Sequence, residues 1–131
     1  MKTYPFMQVD AFTNKPLSGN SCAILFEAHD LDDAAMLAIA LENNLSETSF
    51  VGKSKVADFG VRYFTPGEEI PMAGHPTIAT AFALVDTGRV KLNGEKTTIT
   101  FELKAGVIPI EIFSNGDRVE KIVMTKSSRN F

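Results

Sequence analysis

The chain has 131 residues, 44% of them hydrophobic and ten of them Phe, with 13 basic against 16 acidic side chains and a formal net charge of −3. A chain of this length builds one core and buries roughly two thirds of its unfolded surface, so a single domain is expected. The acidic balance, with a pI near 5.3, offers no basic stripe for nucleic acid, and no apolar run approaches the ~20 residues that cross a bilayer.

In chain order, residues 4–12 alternate: Tyr4, Phe6 and Phe12 share a face with Gln8 and Asp10, while Met7, Val9 and Ala11 line the other, as in a strand covered on both sides. Thr13-Asn-Lys-Pro-Leu-Ser-Gly-Asn20 is dense in turn formers, and the apolar run over 21–26 suits a buried strand. Cys22 lies in that run. As the lone cysteine it excludes an internal disulfide and fits a reducing, cytoplasmic setting, and apolar neighbours mark it as an inert packing residue. His29 falls in a loop and reads as a solvated histidine. Asp32 then caps a surface helix of amphipathic pattern: Leu31 can staple onto Met36, and Met36, Ile39, Ala40 and Asn43 follow one face. Asn43 and Asn44 end it, and Leu45-Ser46 turns into a strand over 47–51. Glu47 is thereby held at an element boundary, where a carboxylate is either a solvated strand end or a poised acid–base group.

Phe59, Val61 and Tyr63 alternate with Asp58, Gly60 and Arg62 in a strand that leads into residues 62–88, the stretch around which the chain is organised. There, Ala73-Gly74-His75-Pro76 reads as a helix start, with His75 near the N-cap, Pro76 at the first helical position and Gly88 as the stop. Ile78, Ala79, Ala81, Phe82, Ala83, Leu84 and Val85 leave no wide polar face, so this helix must be buried nearly all round. Its unpaired N-terminal amides and dipole make an anion site over Gly74 to Thr77, with His75 beside it as proton donor or acceptor; the bland alternative is that Gly-His-Pro only caps the helix. Farther on, Ile99, Phe101 and Leu103 alternate with Thr98, Thr100 and Glu102, Lys104-Ala-Gly106 turns, residues 107–113 return, and Ser114-Asn-Gly-Asp117 signals a hairpin into 119–125. The order predicts an α+β fold: a curled, mostly antiparallel, barrel-like sheet wrapped around a central apolar helix over 76–87, in one lobe of residues 1–125 with a terminal tail over 126–131.

Two histidines and one cysteine, without His-Glu-x-x-His or paired Cys-x-x-Cys, give no reason to expect a metal site. There is no Walker lysine, no dinucleotide glycine array and no nucleophile elbow around Ser46 or Ser49. A histidine at a helix N-terminus and scattered carboxylates remain, suited to proton transfer beside a bound anion.

Val9-Asp-Ala-Phe-Thr13, Ser18-Gly-Asn20, Asn44-Leu-Ser-Glu-Thr-Ser-Phe-Val51 and Phe64-Thr-Pro-Gly-Glu-Glu-Ile-Pro-Met-Ala-Gly-His-Pro-Thr77 resemble, in order and spacing, the N-terminal half of the PhzF-like isomerase family of phenazine biosynthesis. That family is similar in fold to diaminopimelate epimerase, with two lobes, each a curled sheet around a helix, and the active site in the cleft between them. The resemblance implies that Glu47 is the general acid/base, that His75 shares or orients the proton, and that Gly74, Pro76, Thr77 and Ser46 lie on the substrate anion. It implies a proton and double-bond shift in a small carboxylated metabolite, of the trans-2,3-dihydro-3-hydroxyanthranilate isomerase type, with no metal or organic cofactor. The family places histidine where the related epimerases carry one of their two catalytic cysteines, and Cys22 does not occupy that position, which disfavours a two-thiol mechanism. Members of the family are about twice as long, so the second lobe is expected from a homodimer or a separately encoded chain. The competing reading is a truncated remnant that binds an anion or a protein without catalysis.

Overall fold

A computed structural model of the chain describes residues 4–10, 21–28, 30–43, 47–71, 74–116 and 118–124. In chain order the elements are β1 (Phe6–Asp10), β2 (Ser21–Leu25), α1 (Asp33–Asn43), β3 (Glu47–Gly52), β4 (Phe59–Phe64), β5 (Glu69–Ile70), α2 (Gly74–Asp86), β6 (Lys96–Leu103), β7 (Gly106–Asn115) and β8 (Arg118–Met124). The strands form one sheet in the order β1-β2-β3-β4-β6-β7-β8, with β5 added beside β4. It is a mixed sheet: β2 with β3 and β4 with β6 run parallel, and the other pairings are antiparallel. Each parallel pair needs a crossover, and the two helices supply them, α1 between β2 and β3, α2 between β4 and β6.

Period-2 alternation sends one set of side chains inward onto α2. Ile24, Val51, Val61, Phe101 and Ile110 pack there against Ala79, Ala81, Ala83 and Leu84. α2 is covered by β1, β2 and β3 from one edge of the sheet and by β8 from the other, so the sheet curls into a half-barrel around it. The helix read as apolar on every side is in fact buried through Ala83 and Leu84, both at 0% exposure. The opposite face of the sheet, through Leu25, Phe50 and Phe64, carries α1 on Met36 and Ala40. Phe50 and Phe64 meet edge to face with centroids 5.5 Å apart.

The helix ends follow their sequence signals closely. The Ala35 amide donates to Asp32 Oδ1 at 2.8 Å, and Leu31 packs on the cluster that holds Met36, the cap and staple expected of that sequence. The outer side of α1 is more apolar than an amphipathic pattern requires, since Leu37 and Leu41 stand exposed. α2 begins at Gly74, two residues before the expected start, which makes Pro76 its third residue. Proline is accommodated there because first-turn amides have no helical partner. Gly88 ends the helix at φ 79°, donating to the Val85 carbonyl while the Arg89 amide donates to that of Leu84.

β5 has no counterpart among the expected elements, since two residues carry no readable periodicity. Thr65 through Glu68 make a tight turn, closed by the Thr65 amide on the Glu68 carbonyl at 2.8 Å. The turn lays Glu69 beside Arg62, whose Nε and Nη2 donate to the two carboxylate oxygens at 2.8 and 2.7 Å. β1 spans 6–10 only; Phe6 is 53% exposed on the side where Tyr4 packs, so this edge strand is covered less fully than expected. Ala11, Phe12, the turn-rich residues 13–20, His29 and the tail over 126–131 lie outside the described residues.

Candidate active site

Glu47 opens β3, and its direction follows from its strand neighbours. Ser49 and Val51 share its parity; Val51 packs in the core around α2, and the Ser49 hydroxyl meets that of Thr80 on α2 at 2.8 Å. Glu47 therefore projects to the inner side of the sheet. Thr80 also reaches the Pro76 carbonyl at 2.6 Å, and its single proton serves one of these acceptors at a time. Tyr63, the β4 partner of Ser49, places its hydroxyl 2.6 Å from Thr77 Oγ1. These contacts fasten α2, through Thr80 and Thr77, to Ser49 of β3 and Tyr63 of β4. The carboxylate and the helix N-terminus consequently occupy the same end of the half-barrel.

Cys22 is the residue opposite Glu47 in the β2–β3 register. Burial, and secondarily the Glu47 charge, push its thiol up to about 12. Burial likewise raises the Tyr63 phenol well above its ordinary value, against the opposing effect of its bond to Thr77. Both groups stay protonated at neutral pH, which leaves Glu47 as the carboxyl group among them. Its Oε1 is buried and has no hydrogen-bond partner among the described residues. A carboxylate oxygen withdrawn from water without a donor is a costly arrangement, of the kind that recurs at reactive centres.

The other expected site residues fall as follows. Gly74 and His75 form the start of α2 by their backbone, and their side-chain surroundings lie outside what is described. Pro76 is buried and has no amide to offer. Thr77 is fully buried with its hydroxyl on Tyr63, so its side chain is already engaged. Ser46 lies outside the described residues. Among the described residues no group of three His, Cys, Asp or Glu side chains could hold a metal ion. No described helix is long and apolar enough to cross a membrane.

The sequence reading missed Tyr63, Ser49 and Thr80 as neighbours of this site. A signal for them exists: Thr77 and Thr80 are three apart, hence on one face of an otherwise apolar buried helix, and a buried hydroxyl needs a partner.

The profile of the PhzC-PhzF family, phenazine biosynthesis-like protein, matches residues 9–128. An uncharacterized isomerase, YfhB, of Bacillus subtilis is 35% identical over 131 residues, all of this chain and 43% of its own. The trans-2,3-dihydro-3-hydroxyanthranilate isomerase of Pseudomonas fluorescens is 46% identical over 103 residues, 76% of this chain and 37% of its own. The crystal structure of a PhzF-family phenazine biosynthesis protein from Bacillus anthracis superposes with a TM-score of 0.77 at 44% identity, covering 90% of this chain and 38% of that one. The chain thus spans about two fifths of the length of these proteins.

Proposed function

The chain belongs to the phenazine biosynthesis-like protein family, and from that premise we propose that it forms one lobe, residues 1–125, of a cofactor-independent isomerase acting in the cytoplasm on a small carboxylated metabolite. Glu47 is its general acid/base. As carboxylate it takes a proton from a carbon made acidic by a neighbouring double bond, then returns that proton to another carbon, so that the double bond moves and no electrons are gained or lost. The first-turn amides of α2 at Gly74, His75 and Thr77 bind the substrate carboxylate, with Pro76 shaping the turn. His75 orients or shares the transferred proton, and Ser46 borders the anion. The relative from Pseudomonas fluorescens gives the reaction type, a trans-2,3-dihydro-3-hydroxyanthranilate isomerase. A second lobe, from another copy of this chain or a separate one, covers the open end.

The observation that carries the proposal is the inward side chain of Glu47 at the α2 N-terminal end of the half-barrel, with a buried oxygen that has no hydrogen-bond partner among the described residues. Isomerisation of trans-2,3-dihydro-3-hydroxyanthranilate in D2O by the assembled protein, followed by NMR, tests it. Glu47→Gln is expected to lower deuterium uptake into the substrate by at least about 100-fold, the usual contribution of a positioned acid–base group. Undiminished uptake in that variant would sink the assignment.

A further inference from the structure

Among the described residues, Ser49, Thr77 and Thr80 are polar and fully buried, and all three lie where the N-terminal half of α2 meets the sheet. Elsewhere the helix packs on the sheet through Ala79, Ala81, Ala83 and Leu84. Apolar contact is non-directional, and on small side chains it leaves a helix free to slide or turn slightly. Hydrogen bonds are directional and remove that freedom. The Thr80 and Ser49 hydroxyl oxygens lie 2.8 Å apart, and Thr77 Oγ1 lies 2.6 Å from the Tyr63 hydroxyl. Ser49 of β3 and Tyr63 of β4 are partners in the sheet register, while Thr77 and Thr80 are three apart on one helix face. Two bonds to neighbouring strands thus hold one helical turn at two points, where a single bond would leave a pivot. Valine at 77 or 80 would fill the same space with no buried hydroxyl to satisfy, so packing alone does not account for these threonines. The held turn adjoins both halves of the candidate site. Glu47 precedes Ser49 by two residues on the same side of β3, about 7 Å along the strand. Gly74 precedes Thr77 by three, about 4.5 Å along the helix.

We propose that Ser49 and Thr80, with Tyr63 and Thr77 beside them, are positioning residues: their bonds fix the spacing between the Glu47 carboxylate and the first-turn amides of α2. The base then meets one particular carbon of a substrate whose carboxylate those amides hold. This role rests on the acid–base reading of Glu47 given above. Misplacing a reacting group by about 1 Å costs up to roughly 100-fold in rate, whereas the contacts that bind the substrate survive, so the effect falls on kcat and spares KM.

The test compares the parent with Thr80→Ser and with the double variant Ser49→Ala, Thr80→Val. Isomerisation of trans-2,3-dihydro-3-hydroxyanthranilate by the assembled protein gives kcat and KM, and NMR amide order parameters of the full chain read the helix without turnover. The double variant removes both partners of the bond and orphans neither, so its urea midpoint should stay near the parental one. Its kcat should nevertheless fall about tenfold, with KM within about twofold of the parental value. Order parameters at Gly74 and His75 should drop while those at Ala83 and Leu84 hold. Thr80→Ser keeps the hydroxyl and should retain most of the parental kcat. A parental kcat or unchanged order parameters at Gly74 in the double variant would overturn the positioning role, as would a loss of activity in Thr80→Ser equal to that in the double variant. Glu47→Gln separates the two readings. If it leaves isomerisation intact, the acid–base reading falls and this role with it, as both do if the parent shows no turnover in any assembly. If it abolishes isomerisation while the double variant matches the parent, the positioning role alone falls.

Discussion

A Cβ added at Gly60 would lie 2.7 Å from the Lys53 carbonyl oxygen, closer than such contacts occur. Gly60 pairs with Gly52 at the end of β3–β4, so the obstacle is backbone and not a side chain that can swing away. Gly60→Ala is therefore expected to destabilise the chain by about 1–3 kcal/mol through overpacking, read as a lower urea midpoint. An unchanged midpoint would mean that the Lys53 strand end shifts freely. Cys22 gives a second residue-level prediction. With its thiol at about 12 and 1% exposure, it should resist iodoacetamide at pH 8 in the native chain and react promptly once unfolded. Burial is the larger cause of that shift, so Glu47→Gln should leave the native thiol slow. Rapid native labelling would show that Cys22 is not packed beside Glu47 as described.

Between elements, the forked Arg62–Glu69 pair is the strongest polar tie, fixing the two-residue β5 just before the chain enters α2. Arg62 also meets Asp33 of α1 at 2.7 Å, and Lys104 reaches Glu69 at 3.4 Å, so one cluster joins α1, β4, β5 and the β6–β7 turn. Hydrogen bonding to Arg62 holds both Glu69 and Asp33 below their ordinary values. A carboxylate whose folded pKa is depressed stabilises the fold above its unfolded pKa and loses that contribution as pH falls through the folded one. Stability should thus decline below the ordinary glutamate value of 4.5, and Glu69→Gln should flatten that decline while costing on the order of 1 kcal/mol at neutral pH. Chemical denaturation between pH 3 and pH 7 measures both; a variant with the parental acid slope would remove Glu69 from the cause. This cluster also marks the limit of what the sequence made legible. Long periodic segments and capped helices were readable, because alternation, Asp32 and Gly88 act locally. β5 and the pairing of Glu69 with Arg62 were not, because they depend on how a turn folds back onto β4. Glu47 was readable as a strand start, but its neighbour Cys22 comes from β2, and only the sheet register brings it there.

For the whole molecule, the acid–base role proposed for Glu47 and the exposed apolar side chains set the terms. A general base acts efficiently where water is excluded. The chain spans 43% of the Bacillus subtilis relative and 37% of the Pseudomonas fluorescens one, so the covering structure in those proteins has ample chain to come from. Here Phe6, Leu37 and Leu41, exposed at 53%, 36% and 61%, add apolar surface that water does not favour. Self-association is one way to exclude water from Glu47, since a closed two-fold pair makes each copy the cover of the other. Light scattering behind a sizing column at micromolar concentration should then report about 29 kDa, twice the 14.3 kDa of the chain. In such a pair, isomerase activity should fall on dilution in step with the dimer fraction, since each active end needs its cover. A stable monomer would mean that a second copy of residues 1–131 is not the cover.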